Sequence, residues 1–391
     1  MAAPDTISRF DVVVVGGYGG FGRRIVQALI ADATAGAPRL RIGVAGRRGD
    51  AAQACCAALG SPAAQPLPLD AQTPSGRERL FASAPRVVID TAGPFQHADR
   101  ELARACARRG VHYIDLADDT AAVLGIVALD AEARAHDVLL VSGASTVPAL
   151  SIAVVDELAR DLATVERIEI GIAPGYDGPR GLATIQSILS YVGRPIPQWQ
   201  EGEASVAPGW SGTIRHRYPA PVGPRLLSRV DVPDMALLPA RFPRLRTLEI
   251  RAGLEVPLAH RGLGGIAWLV RHFGLRHLET HARFAQRVAA LLNPWGSDTG
   301  AMHVRVVGHT TAGAARSRLW TVVATHGAGP QIPATAAVIL AKRLLGRAGP
   351  ALLQRGAMPA AGLVSLVEFE QSWAGMPLCT SRQDETEAVG D

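Results

Sequence analysis

The stretch Asp11-Val12-Val13-Val14-Val15-Gly16-Gly17-Tyr18-Gly19-Gly20-Phe21-Gly22 constrains the fold more than any other part of the chain. Four consecutive valines suit a strand buried on both faces, as in a parallel sheet. Three glycines follow at G-x-G-x-x-G spacing (Gly17, Gly19 and Gly22), and Ile25, Val26, Leu29 and Ile30 continue with helical period. In such a strand–turn–helix, Gly17 permits the tight turn, Gly19 lets backbone approach a pyrophosphate, and Gly22 lets helix and strand pack closely. The diphosphate rests on the free N–H groups and positive end of the helix. Tyr18, Gly20 and Phe21 complete that loop. The spacing predicts a dinucleotide site, against the alternative of a purely structural turn.

The end of the second strand, Leu40 to Ala45, decides which dinucleotide. An NAD site places an acid there for the ribose hydroxyls. Here the strand runs into Gly46-Arg47-Arg48, and no acid occurs until Asp50. A guanidinium fork pairs with phosphate oxygens in two parallel hydrogen bonds, so Arg47 and Arg48 suit a 2′-phosphate. The alternative is a pair of solvated loop charges. NADP (as NADPH) is the expected cofactor, with NAD second. Asp70, ending the third strand at Leu67-Pro68-Leu69-Asp70, joins the cofactor set.

The chain has 391 residues, enough for two domains with a core in each. Strand and helix patterns alternate from residue 9 to about 160, through Arg86–Asp90, Val111–Leu116 and Val138–Val141, implying an open parallel sheet with helices on both faces. Beyond residue 163 the period changes. Arg167–Ile172, Arg246–Arg251, Met302–Val307 and Arg318–Val323 alternate as half-buried strands. The expected organisation is α/β: a Rossmann doubly wound domain over 1–150, then a second α+β domain with a mostly antiparallel or mixed sheet over 151–330. Helices over 331–370 return toward the first domain, and 371–391 form a disordered acidic tail.

Composition narrows the chemistry. Forty basic against 35 acidic residues is too balanced to imply nucleic acid. Lys342 is the only lysine, so a Tyr-x-x-x-Lys dyad or a mid-chain Schiff-base lysine cannot be written with this sequence. The four cysteines form no C-x-x-C and read as reduced residues. His277 and His281 lie four apart but lack His-Glu-x-x-His order and a third ligand, so no metal is expected. With no signal-peptide pattern and no apolar run of spanning length, the expectation is a cytoplasmic protein.

Open parallel sheets bind ligands beyond the carboxyl ends of their strands. Three loops lie there. In Asp90-Thr91-Ala92-Gly93-Pro94-Phe95-Gln96 small residues admit cofactor and Phe95 walls off a nicotinamide; the alternative is a stiff turn. Tyr113 to Asp119 clusters carboxylates, with Asp118 a candidate acid, although Asp118, Asp119 or Thr120 also suits a helix cap. Ser142 to Pro148 brings hydroxyls to a helix start, where Ser145 either caps or touches substrate. In the second domain, Pro174 to Gly181 offers Tyr176 as an acid and Arg180 as a carboxylate-binding group, or else a surface turn.

These motifs together resemble the saccharopine dehydrogenase-like oxidoreductases. The likeness rests on Gly-Gly-Tyr-Gly-Gly-Phe-Gly, Val-Ala-Gly-Arg-Arg, Thr-Ala-Gly-Pro-Phe, His-Tyr-Ile-Asp-Leu and Pro-Arg-Gly. It is clearest over residues 10–150 and continues more loosely through Asn293 to Ser297. It implies a Rossmann domain, a substrate domain with a mixed sheet, and nicotinamide-dependent reduction. On the resemblance, Gly17, Gly19, Gly22, Arg47, Thr91, Ala92, Gly93, Pro94 and Phe95 bind cofactor. Asp118-Asp119 departs from the Gly-Glu of many relatives. The expected reaction is hydride transfer at an imine or secondary amine of a small carboxylate-bearing substrate. Tyr113, Asp118, Ser145, Tyr176 and Arg180 are the catalytic candidates. Iminium reduction needs little proton transfer, whereas the alternative, enoyl reduction on a lipid or polyketide chain, needs an acid for the α-carbon, for which Tyr113, Tyr176, Asp118 and His97 are the candidates. A non-catalytic NADPH sensor is the third reading. Leu254 to Leu292 mixes apolar residues with arginines, so peripheral contact with lipid stays open beside a core helix, as does a homodimer.

Overall fold

The computed structural model describes residues 9–31, 38–96, 99–176, 181–349, 352 and 354–385. It divides into two compact units. One comprises Met1–Ala149 with Pro333–Val364, the other Leu150–Ile332 with Ser365–Asp391.

The first unit is built on seven strands: β1 Val12–Val15, β2 Ile42–Gly46, β3 Ala64–Pro68, β4 Val87–Asp90, β5 His112–Asp115, β6 Leu139–Ser142 and, much later in the chain, β15 Gly356–Pro359. Their order is β15-β6-β5-β4-β1-β2-β3, and every pairing is parallel. All four β1 valines are buried, which is why the run shows no alternation. The strand order reverses at β1, so the crevice beyond the ends of β1 and β4 is the topological switch point where such sheets take ligands. One face of the sheet packs on the helix Glu101–Arg108, which buries Leu102, Ala103, Cys106 and Ala107 beside Tyr113 and Leu140.

The second unit carries a nine-stranded mixed sheet. Its strands are β7 Leu162–Ala173, β8 Pro195–Gln200, β9 Glu203–Pro208, β10 Ile214–Arg217, β11 Pro224–Arg229, β12 Thr247–Ala252, β13 Gly300–Thr310, β14 Ala315–Ala324 and β16 Leu378–Glu385. The main path is β10-β11-β12-β7-β13-β14-β16, with β8 joined to β12 and β9. Only β7 and β12 run parallel; the remaining pairings are antiparallel. Ile168, Ile170, Val304, Val306, Trp320 and Val322 bury the apolar face. The opposite face of the same strands carries Glu169, Gly171, His303 and Arg305 in register.

The chain's last segment departs from the sequence expectation. Residues 378–385 are not a disordered tail: they form β16, paired antiparallel with β14 from Leu378 through Glu385. Within 331–370, Gly356–Pro359 is a strand of the first sheet, while the helix Leu366–Ser372 belongs to the second unit. All four cysteines are free thiols.

Candidate functional site

The turn after β1 is closed by its own backbone and one threonine. Gly16 adopts φ +74°, so it, and not Gly17, takes the left-handed conformation of the tight turn. Gly17 has another reason to be glycine. A Cβ there would lie 2.8 Å from the Val14 carbonyl and 3.1 Å from Val44 Cγ1. The Gly16 carbonyl accepts the Gly19 N–H at 2.8 Å. Gly22 then sits against the turn, where a Cβ would come within 2.3 Å of that same carbonyl oxygen and 2.8 Å of Thr91 Oγ1.

The helix Gly20–Ile30 starts from Gly19 with no side-chain cap and no acid in its first turn. Its first intrahelical bond runs from the Arg23 N–H to the Gly19 carbonyl. The N–H groups of Gly20, Phe21 and Gly22 therefore precede the intrahelical ladder and point out at the positive end of the helix. Space beside Gly20 is open: a Cβ would meet nothing within 4 Å. Open backbone donors at a glycine-built helix start fit a pyrophosphate.

Tyr18 links this loop to the end of β2. Its ring lies over Gly46, where a Cβ would fall 2.4 Å from Cε1. Its hydroxyl accepts the Arg48 N–H at 3.2 Å, and the Arg48 guanidinium sits 5.4 Å from the ring centroid. That stack restrains Arg48 while leaving its side chain, and that of Arg47, exposed. The Arg48 guanidinium thus stands beside the turn that follows β1. Asp70 sits differently. Its Oδ1 accepts the Gln72 N–H and its carbonyl accepts the Thr73 hydroxyl, building the turn into the helix Pro74–Ala82.

Across the crevice, the Thr91 hydroxyl and N–H both donate to the Val15 carbonyl, at 2.8 and 2.9 Å, which ties the exits of β1 and β4 together. Thr91 is therefore a positioning residue for the loop. Ala92 and Pro94 are exposed and Gly93 and Phe95 half-buried, with a cis Gly93–Pro94 bond.

Behind this loop lies a pair of buried carboxyls. Asp90 and Asp115 are register partners at the ends of β4 and β5. Asp90 accepts the Ala92 N–H at 2.9 Å and the Tyr113 hydroxyl at 3.3 Å, yet burial pushes its carboxyl up to about 6. Asp115 Oδ1 takes the Ser142 hydroxyl at 2.8 Å and the N–H groups of Gly143 and Ala117; burial raises it too. The Tyr113 phenol is buried, and burial together with the two carboxyls pushes it well above the usual tyrosine range. Tyr113 and the two aspartates line a cavity of about 50 Å³ with Phe95 and Arg100. Sequence reading missed Arg100. It adopts φ +58°, packs its guanidinium across Gly125 and donates to the Ala121 carbonyl at 3.0 Å.

Of the remaining candidates, Asp118 and Ser145 are half-buried. The capping question is settled by Asp119, whose Oδ1 accepts the Ala122 N–H at 2.8 Å at the start of the helix Thr120–Gly125. In the second unit, Tyr176 is a core residue, 2% exposed, and its hydroxyl donates to the Ala289 carbonyl at 3.0 Å. Arg180 lies outside the described residues, as does His97. The loop around Tyr176 is held by Glu255, which sequence reading also missed. Glu255 accepts the N–H groups of Tyr176 and Ser297 at 2.7 and 2.8 Å and pairs with Arg225 at 2.8 Å.

One constellation in the second unit imitates a nucleophile pair. Ser228 Oγ lies 2.8 Å from His260 Nε2. However, the Leu254 N–H donates to Nδ1 at 3.3 Å, and burial lowers the imidazole to about 4. The neutral ring then carries its proton on Nε2 and donates to Ser228, the reverse of base activation.

Residues 12–141 match the family model described as the saccharopine dehydrogenase NADP binding domain. A saccharopine dehydrogenase (L-Glu forming) from Saccharomyces cerevisiae has a similar fold, with a TM-score of 0.62, 13% identity, and coverage of 96% of this chain and 100% of that one. A meso-DAP dehydrogenase mutant from Clostridium tetani aligns at a TM-score of 0.45 and 12% identity, covering 92% and 95% of the two chains. Among curated proteins, a trans-acting enoyl reductase of Mycobacterium leprae is 38% identical over 111 residues. That match spans 27% of this chain and 25% of the relative.

Proposed function

We propose that this saccharopine dehydrogenase-like NAD(P)-dependent oxidoreductase uses NADPH to reduce a C=N bond, forming a secondary amine on a small carboxylate-bearing substrate. The bound nicotinamide supplies the hydride. The chain's own part is to hold the diphosphate on the Gly20–Ile30 helix start, to flank the adenosine ribose with Arg47 and Arg48, and to orient the substrate.

The observation that carries the C=N reading is the commitment of both candidate phenols. Tyr113 is buried and bonded to Asp90, and Tyr176 is buried and bonded to the Ala289 carbonyl. An enoyl group needs a proton delivered to its α-carbon as hydride arrives, whereas an iminium already carries its proton. The whole-chain likeness to a saccharopine dehydrogenase supports the same side. Enoyl reduction is the second reading, favoured by the name of the partial relative. Purified protein should consume NADPH with paired amino and 2-oxo acids and not with 2-enoyl thioesters. Turnover with the thioester alone would reverse the assignment.

The cofactor preference has its own test. Arg47→Ala/Arg48→Ala should weaken NADPH by roughly 10–100-fold, because charge-assisted hydrogen bonds are worth about 1.5–3 kcal/mol. NADH binding should barely change. Calorimetric titration of both nucleotides checks this, and equal losses for the two would place the arginines away from the 2′-phosphate.

A further inference from the structure

The helices Pro257–Phe273 and Ala282–Leu291 share an inner side. Leu263 and Ala285 pack on a cluster formed by Ile185, Leu189 and Ala282. Along the first helix, His260, Ala267 and Val270 are also buried, at helical spacing. The opposite stripe should therefore be polar in a water-facing helix. It is not. Leu258, Ile266, Leu269 and Phe273 occupy it, exposed, with Gly262 and Gly265 between them.

The second helix repeats the pattern. Phe284, Val288, Leu291 and Trp295 recur at steps of four, three and four, and Leu291 and Trp295 are 72% and 70% exposed. Scattered apolar residues on a surface need no explanation, but two continuous stripes do.

The charges around these stripes are of one sign. Between Pro257 and Trp295 stand five arginines, at 261, 271, 276, 283 and 287, against a single acid, Glu279. Glu279 is already engaged, lying 3.7 Å from Arg194 and 3.5 Å from His277. Where the first helix ends, Arg194, Arg271 and Arg276 ring a cavity of about 620 Å³ that Val206, Val270 and Leu275 also line. Val206 is itself 73% exposed. Apolar side chains thus lie beside guanidiniums along the whole segment.

We propose that the outer faces of these two helices form an interfacial docking surface that seats the protein on anionic phospholipid bilayers. The apolar stripes enter the boundary between headgroups and acyl chains, and the arginines pair with lipid phosphates. The exposed indoles of Trp268 and Trp295 suit the headgroup level. Charge complementarity selects this occupant. A second copy of the chain would bring arginines against arginines, whereas an anionic leaflet neutralises them. No helix among the described residues is long and apolar enough to cross a membrane.

The test is co-sedimentation of the whole protein with vesicles of pure phosphatidylcholine and of phosphatidylcholine mixed with phosphatidylglycerol. Binding should be at least about tenfold tighter to the anionic vesicles and should fall with added salt. Phe284→Asp/Leu291→Asp should abolish it. Arg283→Glu/Arg287→Glu, two exposed changes that spare the packing, should weaken it by about tenfold or more, with NADPH affinity unchanged as the check on folding. Failure of the wild type to sediment with either vesicle would overturn the proposal. So would indifference to the arginine reversals. A wild-type dimer that the Phe284→Asp/Leu291→Asp variant converts to monomer would assign the face to a second copy instead.

Discussion

Gly22→Val should leave the first unit unable to hold a dinucleotide, and it should do so through packing alone. A Cβ at this position would stand 2.3 Å from the Gly16 carbonyl oxygen, 2.8 Å from Gly17 Cα and 2.8 Å from Thr91 Oγ1. Two of those three neighbours are backbone, and the third is pinned to the Val15 carbonyl. None is the free end of a flexible side chain. The helix must therefore move away from β1, or the turn must open. Overpacking of this kind costs about 1–3 kcal/mol. Either movement also carries the Gly20, Phe21 and Gly22 N–H groups off the place where a diphosphate sits. Calorimetry should find no NADPH binding, and thermal unfolding should begin earlier. Gly20→Ala is the matched control: its Cβ meets nothing within 4 Å, and alanine is the better helix former. It should keep the melting temperature or raise it. Retained NADPH affinity in Gly22→Val would mean that the turn yields at no cost, and the proposed seat of the diphosphate would be wrong.

The strands that were legible in the sequence are those whose own burial writes a pattern. β1 is buried on both faces, so its valines run unbroken, and β7, β13 and β14 alternate because one face is apolar. β8 to β11 left no such trace. Pro195, Pro197, Pro208 and Pro224 punctuate them, and most of β9 and β10 is exposed. β9 and β10 form because a neighbour offers backbone partners, not because their side chains demand burial. β16 is the extreme case. Leu378 to Glu385 reads as a polar tail, yet it is the outermost strand on β14, held by backbone pairing with its side chains largely in water.

The site divides in the same way. Glycine spacing located the cofactor loop because steric demand is local. Which glycine takes positive φ was not legible, since Gly16 and Gly17 differ in what the folded strands and the Thr91 loop bring near them. Tyr176 looked like an available acid because it stands in a glycine- and proline-rich loop. Its burial depends on Gly296 and on the Ala289 carbonyl, 113 residues further along the chain. Glu255 likewise acquires its role only from Tyr176, Arg225 and Ser297, none of them neighbours in sequence.

Asp234 provides a large expected effect of pH on stability. It begins the helix Asp234–Arg241 and is wholly buried. One carboxyl oxygen accepts the Ser151 hydroxyl, while Oδ2 has no partner among the described residues. Burial pushes the group up to about 7 from its ordinary 3.8. The folded state thus binds this proton more tightly than the unfolded chain does. Below about pH 4 the group is protonated in both states and carries no penalty. As pH rises from about 4 to about 7, only the unfolded chain releases the proton, and stability falls. The full span is on the order of 4 kcal/mol. Asp234→Asn keeps the shape and removes the titration. The amide carries a roughly constant cost, on the order of 1–3 kcal/mol, for placing an NH₂ where Oδ2 stood. That constant does not matter to the test, because only the change in the difference with pH is read. Asp90, raised to about 6 by burial, works in the same sense, and Asp161, held near 2 by Arg318, in the opposite one, but both are present in either protein and cancel. Urea unfolding of wild type and variant at roughly pH 4.5 and pH 8 should show the variant gaining several kcal/mol on the wild type between the two. A difference that stays flat across that interval would mean that Asp234 is ionised in the folded protein, its free oxygen met by a buried water or cation.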